Sequence, residues 1–161
     1  MYKPFIISSV FIYLAFQTFN LGWSEDKGAA AAQKGDFKTA FKEWKPSAEK
    51  GNKFAQYNLG VLYNLGRGVS QDYKEAFKWF SLSAQQGHEI AQRELGVMYY
   101  KGVGTIQDYI YAHMWLNISA SNGYELSLEN RDLVAKNMTS SQIQEAQRLA
   151  RECVKKDYKG C

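Results

Sequence analysis

A serine and a lysine three residues apart, Ser47 and Lys50, are the pair in this sequence that most resembles a nucleophilic site. Ser-x-x-Lys carries the acylated serine of penicillin-recognising enzymes, but those enzymes also need Ser-Asp-Asn and Lys-Thr-Gly elements. Neither element occurs in this chain. Ser47 also lies beside Ala48 in a helical pattern, where its small size already explains it. The pair therefore gives no reason to expect enzyme activity.

The two histidines are the candidate metal ligands, and their spacing does not favour a metal centre. His88 and His113 lie 25 residues apart and have no acidic or cysteine partner at the spacing of a ligand set. We expect each to be an ordinary surface or half-buried side chain, and we expect neither a metal nor a cofactor. The Gly-x-Gly pairs at 66–68 and 102–104 do not follow a strand, so we interpret them as helix ends rather than phosphate-binding loops.

Cys153 and Cys161 are the two thiols of the chain, eight residues apart. In an exported protein an even number of cysteines favours a disulfide, and Gly160 allows the tail to turn back onto the preceding helix. Cys153 also suits an apolar helix stripe, so a buried free thiol remains open, as does an intermolecular bridge through Cys161. A catalytic Cys153 paired with His113 is not expected, because nothing orients either side chain.

Composition and charge limit the class of protein. The chain has 161 residues, of which 45% are apolar and 22% are charged, and this is typical of one globular domain rather than a disordered or collagen-like chain. Two cysteines are too few for a disulfide-dense scaffold or a four-cysteine zinc site. The net charge of +4 is modest, so nucleic acid is not an expected partner.

The amino terminus resembles an export signal. Lys3 precedes an almost wholly apolar run at residues 5–16, and small residues favour cleavage after Ser24. That run is too short to cross a hydrocarbon core of about 30 Å comfortably. An uncleaved anchor over residues 5–21 is the alternative. Both interpretations place the folded part outside the cytoplasm, in the periplasm or the secreted space, and cleavage would leave no stable membrane span.

The body of the chain repeats every 36 residues. Residues 36–71 and 72–107 are identical at 17 of 36 positions without a gap, and a third copy from Asp108 keeps the same frame for half its length. Each unit begins with an aspartate, which is a good N-cap, and continues with apolar residues at three- and four-residue steps. We therefore predict two helices in each unit; the first ends at a glycine (Gly51, Gly87 or Gly123) and the second at the Gly-x-Gly pair.

A glycine also recurs inside the second helix of the unit, at Gly60 and Gly96. Glycine costs about 1 kcal/mol relative to alanine in a helix interior, so its recurrence predicts that two backbones meet closely there. Trp44, Trp79 and Trp115 fall on core positions of the first helices. One helical hairpin cannot cover its own apolar face, whereas stacked hairpins can, which predicts a solenoid.

The ends of the repeat array are irregular. We divide the chain into a signal peptide (1–24), an N-terminal capping helix (25–35), two repeats (36–71 and 72–107), a degenerate third repeat (108–138) and a C-terminal capping helix with its tail (139–161). The third repeat decays where Arg131 replaces a leucine of the earlier units. Thr139 and Gln142 form a capping-box pattern, and the helix that follows carries one apolar stripe suited to sealing the open end.

These repeats resemble the Sel-one-like repeat (SLR) family, which is related to the tetratricopeptide repeats. The family pattern is approximately A-x-x-W-x-x-x-A-A-x-x-G followed by A-x-x-x-L-G-x-x-Y-x-x-G-x-G, and it occurs at residues 76–87 and 91–104. The first unit departs from it, with Glu43 at the tryptophan position and Trp44 one step later. The resemblance implies an all-α, right-handed α/α superhelical solenoid with terminal capping helices, whose first helices line a concave face.

The resemblance also implies an adaptor that binds a protein or peptide and is not an enzyme. We predict the binding surface on the first helices, outside the apolar stripe, where lysine recurs at the same repeat positions. The predicted contact residues are Lys38, Lys42, Lys74, Lys78, Ser81 and Asn117. Their charge would suit an acidic peptide or protein segment. A solvated charged face without a partner is the alternative interpretation.

The sequence thus favours a non-enzymatic interaction module of the bacterial periplasm or the secreted space. The alternative from another class is a cell-wall-associated protein that binds β-lactams or peptidoglycan, with weak hydrolase activity and Ser47 as its candidate nucleophile. It is suggested by secreted, cysteine-richer relatives. A structural or regulatory factor of the cell envelope without a stable partner is the third interpretation. The identity of the partner and the oligomeric state stay open.

Overall fold

The computed structural model describes residues 26–161, which form eight α-helices and no strand. The helices are α1 (Lys27–Gln33), α2 (Phe37–Glu49), α3 (Lys53–Leu65), α4 (Tyr73–Ala84), α5 (Glu89–Lys101), α6 (Tyr109–Ser121), α7 (Leu126–Ala135) and α8 (Ser140–Lys155). The predicted signal peptide at 1–24 lies outside the described residues. None of these eight helices is long and apolar enough to span a membrane. The predicted all-α solenoid is confirmed.

Side-chain caps start the first helix of every unit. Asp36, Asp72 and Asp108 are the N-caps of α2, α4 and α6, and each carboxylate accepts hydrogen bonds from backbone N–H groups of the first turn. The capping box predicted at Thr139 and Gln142 is present at the start of α8. Because such caps depend on neighbouring residues alone, the sequence was sufficient to predict them.

The second helix of each unit packs against its own first helix and, more extensively, against the first helix of the next unit. A buried amide joins these elements. Gln56, 4% exposed, donates to a carbonyl in the last turn of α2 and accepts from Gln86 at 2.7 Å. Gln92 makes the same pair of bonds one repeat later. A satisfied buried amide at every junction holds neighbouring hairpins in one orientation.

Gly60 and Gly96 are points of close approach, as expected, but the main neighbour is a side chain. A Cβ on Gly60 would lie 2.6 Å from the ring of Phe80, and one on Gly96 would lie 2.8 Å from Cγ of Leu116. A backbone atom is near only at Gly96, where the carbonyl oxygen of Ala112 would be 3.1 Å away. The prediction that two backbones meet is therefore wrong for Gly60, because an aromatic ring fills the space.

Close backbone contact occurs instead at the second glycine of each Gly-x-Gly pair. A Cβ on Gly68 would collide with the carbonyl group of Phe37, and one on Gly104 with that of Tyr73. Both glycines also have positive φ, 74° and 73°. The loop after the second helix thus lies on the start of the first helix of its own unit, and only glycine combines that conformation with that distance.

Among residues 26–161, the helix at the N-terminal end of the stack is shorter than its counterparts in the repeats. α1 has seven residues, whereas α3 and α5 have thirteen each. Gly28 of α1 lies against the indole of Trp44 just as Gly60 lies against Phe80, and Trp44 and Phe80 occupy the same repeat position. α1 therefore corresponds to the second half of a repeat helix, and the first half has no counterpart among residues 26–161.

α8 does not seal the open end, contrary to the expectation from its apolar stripe. Its main packing partner is α6 rather than α7, and Ala146, Ala150 and Cys153 are buried in that contact. The outer part of α7 carries Arg131 and Asp132, which pair at 2.8 Å, where the earlier units have leucine and glycine. Polar residues at these positions allow the repeat stack to end in solvent.

Candidate functional site

Four lysines form an exposed basic surface on α2 and α4, which we call the lysine face. It consists of Lys38, Lys42, Lys74 and Lys78. Within residues 26–161, Lys38, Lys42 and Lys74 take part in no ion pair, whereas Lys78 pairs with Glu75 at 3.2 Å. Hydrogen bonds from Thr39 lower the pKa of the Asp36 carboxylate, and the nearby charges of Lys42 and Lys38 lower it further.

The two polar residues predicted beside these lysines are already engaged within the protein. Ser81 is half-buried, and its hydroxyl donates to the carbonyl oxygen of Phe77 at 2.7 Å. Asn117 is also half-buried, and its Oδ1 accepts from the Arg131 guanidinium on α7 at 3.4 Å. The structure thus leaves the four lysines exposed and gives Ser81 and Asn117 internal hydrogen bonds.

The lysine face does not continue onto α6, because α8 covers that helix. Met114 occupies the position of Lys42 and Lys78 one repeat later, and it is only 2% exposed. Ile118 is 1% exposed in the same area. Replacing a lysine by methionine makes this part of the surface apolar, so burying it under the amphipathic α8 is favourable. Two units therefore present lysines, and the third holds a helix of the same chain.

Half-buried aromatic rings lie beside the lysine face. Phe41 and Tyr63 make an edge-to-face contact with centroids 5.7 Å apart, and Phe77 and Tyr99 do the same at 5.2 Å. Burial raises the pKa of the Tyr63 hydroxyl, and the nearby Glu75 carboxylate adds to this effect. The signal that could have revealed this surface is that both phenylalanines and both tyrosines recur 36 residues apart.

A cleft of about 710 Å³ opens at the N-terminal end of the stack, beside α1. It is lined by the start of α1, the last turns of α2 and the start of α3; the lining includes Asp26, Lys27, Glu43, Trp44, Ser47, Asn52 and Phe54. The indole N–H of Trp44 donates to the Asp26 carboxylate at 3.0 Å. Ser47 is half-buried and is hydrogen-bonded to no general base in residues 26–161, so the cleft lacks the arrangement that activates a serine nucleophile.

His88 is a helix cap rather than a surface residue. It is 5% exposed, and its Nδ1 accepts a hydrogen bond from the backbone N–H of Ala91 at the start of α5. Its ring stacks on Tyr57 with centroids 4.8 Å apart. Burial lowers the pKa of His88, which keeps the imidazole neutral and able to accept.

His113 is buried on α6, with 3% of its surface exposed. Its Nδ1 has no hydrogen-bond partner among residues 26–161, and burial together with the Arg131 guanidinium lowers its pKa. The expectation of surface or half-buried histidines is therefore wrong for both rings. The part of the chain that the structure describes contains no cluster of three or more His, Cys, Asp or Glu side chains that could hold a metal ion.

Cys153 and Cys161 form a disulfide in the structure, with Cα atoms 5.6 Å apart. The bridge closes a short tail that carries Tyr158. The hydroxyl of Tyr158 donates to Asn122 Oδ1 at 3.1 Å, and the Asn122 amide donates to Gln92 at 2.9 Å. The disulfide therefore fixes the tail onto the buried amide of the last repeat junction.

Comparison with known proteins identifies the repeat. The family model described as Sel1 repeat matches residues 53–88 and 90–124. The crystal structure of c5321, a protective antigen of uropathogenic Escherichia coli strains with an SLR fold, is 32% identical with a TM-score of 0.76 over 81% of this chain. A Sel1 repeat protein from Oxalobacter formigenes is 28% identical with a TM-score of 0.57, and the match covers 65% of this chain and 94% of that one.

The extent of these matches limits which properties of the similar proteins can be inferred for this chain. This chain spans 30% of the length of the c5321 chain. No match was found among curated proteins. The family model places its units half a repeat later than our division, so that each unit contains a second helix and the first helix that follows it. These are the two helices with the most extensive mutual contact.

Proposed function

We propose that the chain is a non-enzymatic adaptor that binds an acidic peptide or protein segment on the lysine face, because its repeats match the Sel1-repeat model and Sel1-repeat proteins are helical repeat modules for protein interaction. The observation that carries this proposal is that Lys38, Lys42 and Lys74 are exposed and take part in no ion pair within residues 26–161.

The neighbouring surfaces support a binding role. Phe41 of α2 and Tyr63 of α3 are half-buried, so part of each ring is available for apolar contact beside the charges. An interface that combines charged residues with aromatic ones gains both orientation and buried area. On the corresponding face of α6, α8 is already bound through Met114 and Ile118. The fold therefore accepts an added segment on this side of the first helices.

The proposed location is the periplasm or the secreted space. The Cys153–Cys161 disulfide supports it, because disulfides form and persist in oxidising compartments. The basic and apolar start of the sequence, which resembles an export signal, points to the same place. The lysine face covers only two repeats, so one copy of the protein would hold one short segment. Several copies acting together would bind their partner more tightly.

Charge reversal on the lysine face tests the proposal. The double variant Lys42→Glu/Lys78→Glu is compared with the control Lys101→Glu/Lys136→Glu, which changes the same net charge at exposed lysines on α5 and after α7. Partners are identified by crosslinking in cells followed by mass spectrometry. We expect the first variant to lose the crosslinked partner and the control to retain it. An unchanged partner in the first variant would contradict the proposal.

A further inference from the structure

The N-terminal cleft lies where the first half of a repeat helix lies in the other units. Where unit one meets unit two, Tyr57 of α3 packs against the rings of Phe80 and His88, at 5.8 and 4.8 Å between centroids. Ser83 donates from its hydroxyl to the carbonyl oxygen of Lys53, the first residue of α3, at 2.8 Å. The residues 36 positions before Phe80, Ser83 and His88 line the cleft: Trp44, Ser47 and Asn52.

The same hydrogen bond recurs one repeat later, so two examples define the geometry expected of a helix bound in the cleft. Ser119 donates from its hydroxyl to the carbonyl oxygen of Glu89, the first residue of α5, at 2.7 Å. Ser47 is the equivalent of Ser83 and Ser119, but its hydroxyl makes no hydrogen bond within residues 26–161 and is half-buried at the edge of the cleft. α1 begins at Lys27, too late to offer the corresponding carbonyl.

The helix α1 itself does not extend into this space. Asp26 is its N-cap and has an extended backbone, with ψ of 91°. Its carboxylate accepts from the backbone N–H of Ala29 at 3.1 Å and from the indole N–H of Trp44 at 3.0 Å. An N-cap held at two points ends the helix, because its own backbone must leave the helical path.

We propose that the N-terminal cleft binds a short helical segment of a partner protein, about one and a half turns long because α1 occupies the continuation of its axis, and that this segment carries a basic side chain at its third position. The interaction would continue the packing of the existing helix junctions, with the hydroxyl of Ser47 donating to the carbonyl oxygen of the first helical residue. It lies on a different surface from the lysine face and does not depend on the function proposed above.

The basic side chain is predicted because Glu43 takes the place that a core tryptophan has in the other units. Trp79 lies in the same buried cluster as Ala55, the third residue of α3, and Trp115 lies in the same cluster as Ala91, the third residue of α5. The corresponding wall residue of the cleft is Glu43, which is exposed and takes part in no ion pair in the described part of the chain. The lining carries two carboxylates, Asp26 and Glu43, against one cation, Lys27, and the smaller side chain of Glu43 leaves room for a lysine or arginine in place of alanine.

The test uses two bridged helical peptides with the full chain. Both peptides have the sequence of residues 52–57, which stops short of the position that Asp26 occupies; Ala55 is replaced by lysine in one and by glutamate in the other. Binding is followed by NMR, through the indole N–H signal of Trp44 and the amide signal of Ser47. We expect the lysine peptide to shift both signals and to bind about fivefold more tightly than the glutamate peptide, as one exposed charge pair allows.

Three variants of the protein show which side chains of the cleft carry the binding. Glu43→Lys should reverse the preference between the two peptides, and Ser47→Ala should weaken the lysine peptide about fivefold through the lost hydrogen bond. Lys74→Glu, on the lysine face, is the control and should leave its affinity unchanged. Equal affinity for the two peptides, shifts confined to the lysine face, or no shift at millimolar peptide would overturn the proposal. So would a full chain in which residues preceding Asp26 contact Ser47.

Discussion

Replacing Gly60 by alanine tests how the hairpins are stacked. The added Cβ would lie 2.6 Å from two ring atoms of Phe80 and 3.1 Å from its Cγ, and Phe80 is only 1% exposed. Carbon atoms in contact settle at about 3.5–4.0 Å, so the two helices must separate by about 1 Å or the ring must leave its rotamer. Overpacking of this kind costs about 1–3 kcal/mol, while alanine gains about 1 kcal/mol in helix propensity.

The expected result for Gly60→Ala is a net loss of about 1 kcal/mol in the free energy of unfolding, measured by urea denaturation with circular dichroism. A second variant isolates the contact. Phe80→Ala removes the ring that the Cβ would meet; leucine would not serve, because the leucine at this position in unit three lies 2.8 Å from the Cβ position of Gly96. In that background Gly60→Ala should be neutral or stabilising. Stabilisation by Gly60→Ala alone, or costs that simply add in the double variant, would refute this account of the packing.

Three further predictions concern buried polar groups and the tail. Burial lowers the pKa of His88 and His113 below the 6.5 of the free side chain. Below about pH 6.5 the unfolded chain therefore binds protons that the folded chain does not bind. The free energy of unfolding is thus largest near pH 7 and falls as the pH drops below about 6.5. His88→Asn and His113→Phe introduce the residues that other repeats have at these positions. Each should reduce the difference between the urea midpoints measured at pH 7 and pH 5. A difference as large as that of the parent protein would contradict the prediction. Cys161→Ser should lower the free energy of unfolding by about 2–3 kcal/mol, and reductant should do the same to the parent protein but not to the variant. Gln92→Leu should lower the free energy of unfolding by about 1–3 kcal/mol, because the Ala84 carbonyl and the Asn122 amide lose their hydrogen-bond partner. A glutamine-to-leucine change at an exposed position should lower it little.

Much of the helical framework followed from short stretches of sequence. The aspartate caps, the box at Thr139 and the helix ends at glycine depend on residues within one turn of each other, so local chemistry is enough to predict them. Trp44, Trp79 and Trp115 were expected in the core and are 9%, 8% and 1% exposed. The Sel-one-like repeat assignment is confirmed by the family model and by the solved structures.

The candidate surfaces were less predictable, because each depends on which neighbour covers which residue. The lysines were located correctly as exposed side chains, but the internal hydrogen bonds of Ser81 and Asn117 come from where the neighbouring carbonyl and guanidinium lie. The burial of His88 follows from its stacking on Tyr57, which is 31 residues away in the sequence. Whether the lysine face binds a partner stays a prediction.

The sequence alone determined the period of 36 residues, and with it the helical hairpin, its caps and the stacking of one hairpin on the next. It could do so because a motif repeated at fixed spacing makes the same contact each time. What the two ends of the stack do was decided only by the tertiary structure. At one end α1 covers half of the first unit and leaves a cleft beside Ser47; at the other, α8 turns back onto α6 through Met114. An end has no second copy to compare with, so its packing depends on long-range shape and apolar area that a periodic pattern does not encode.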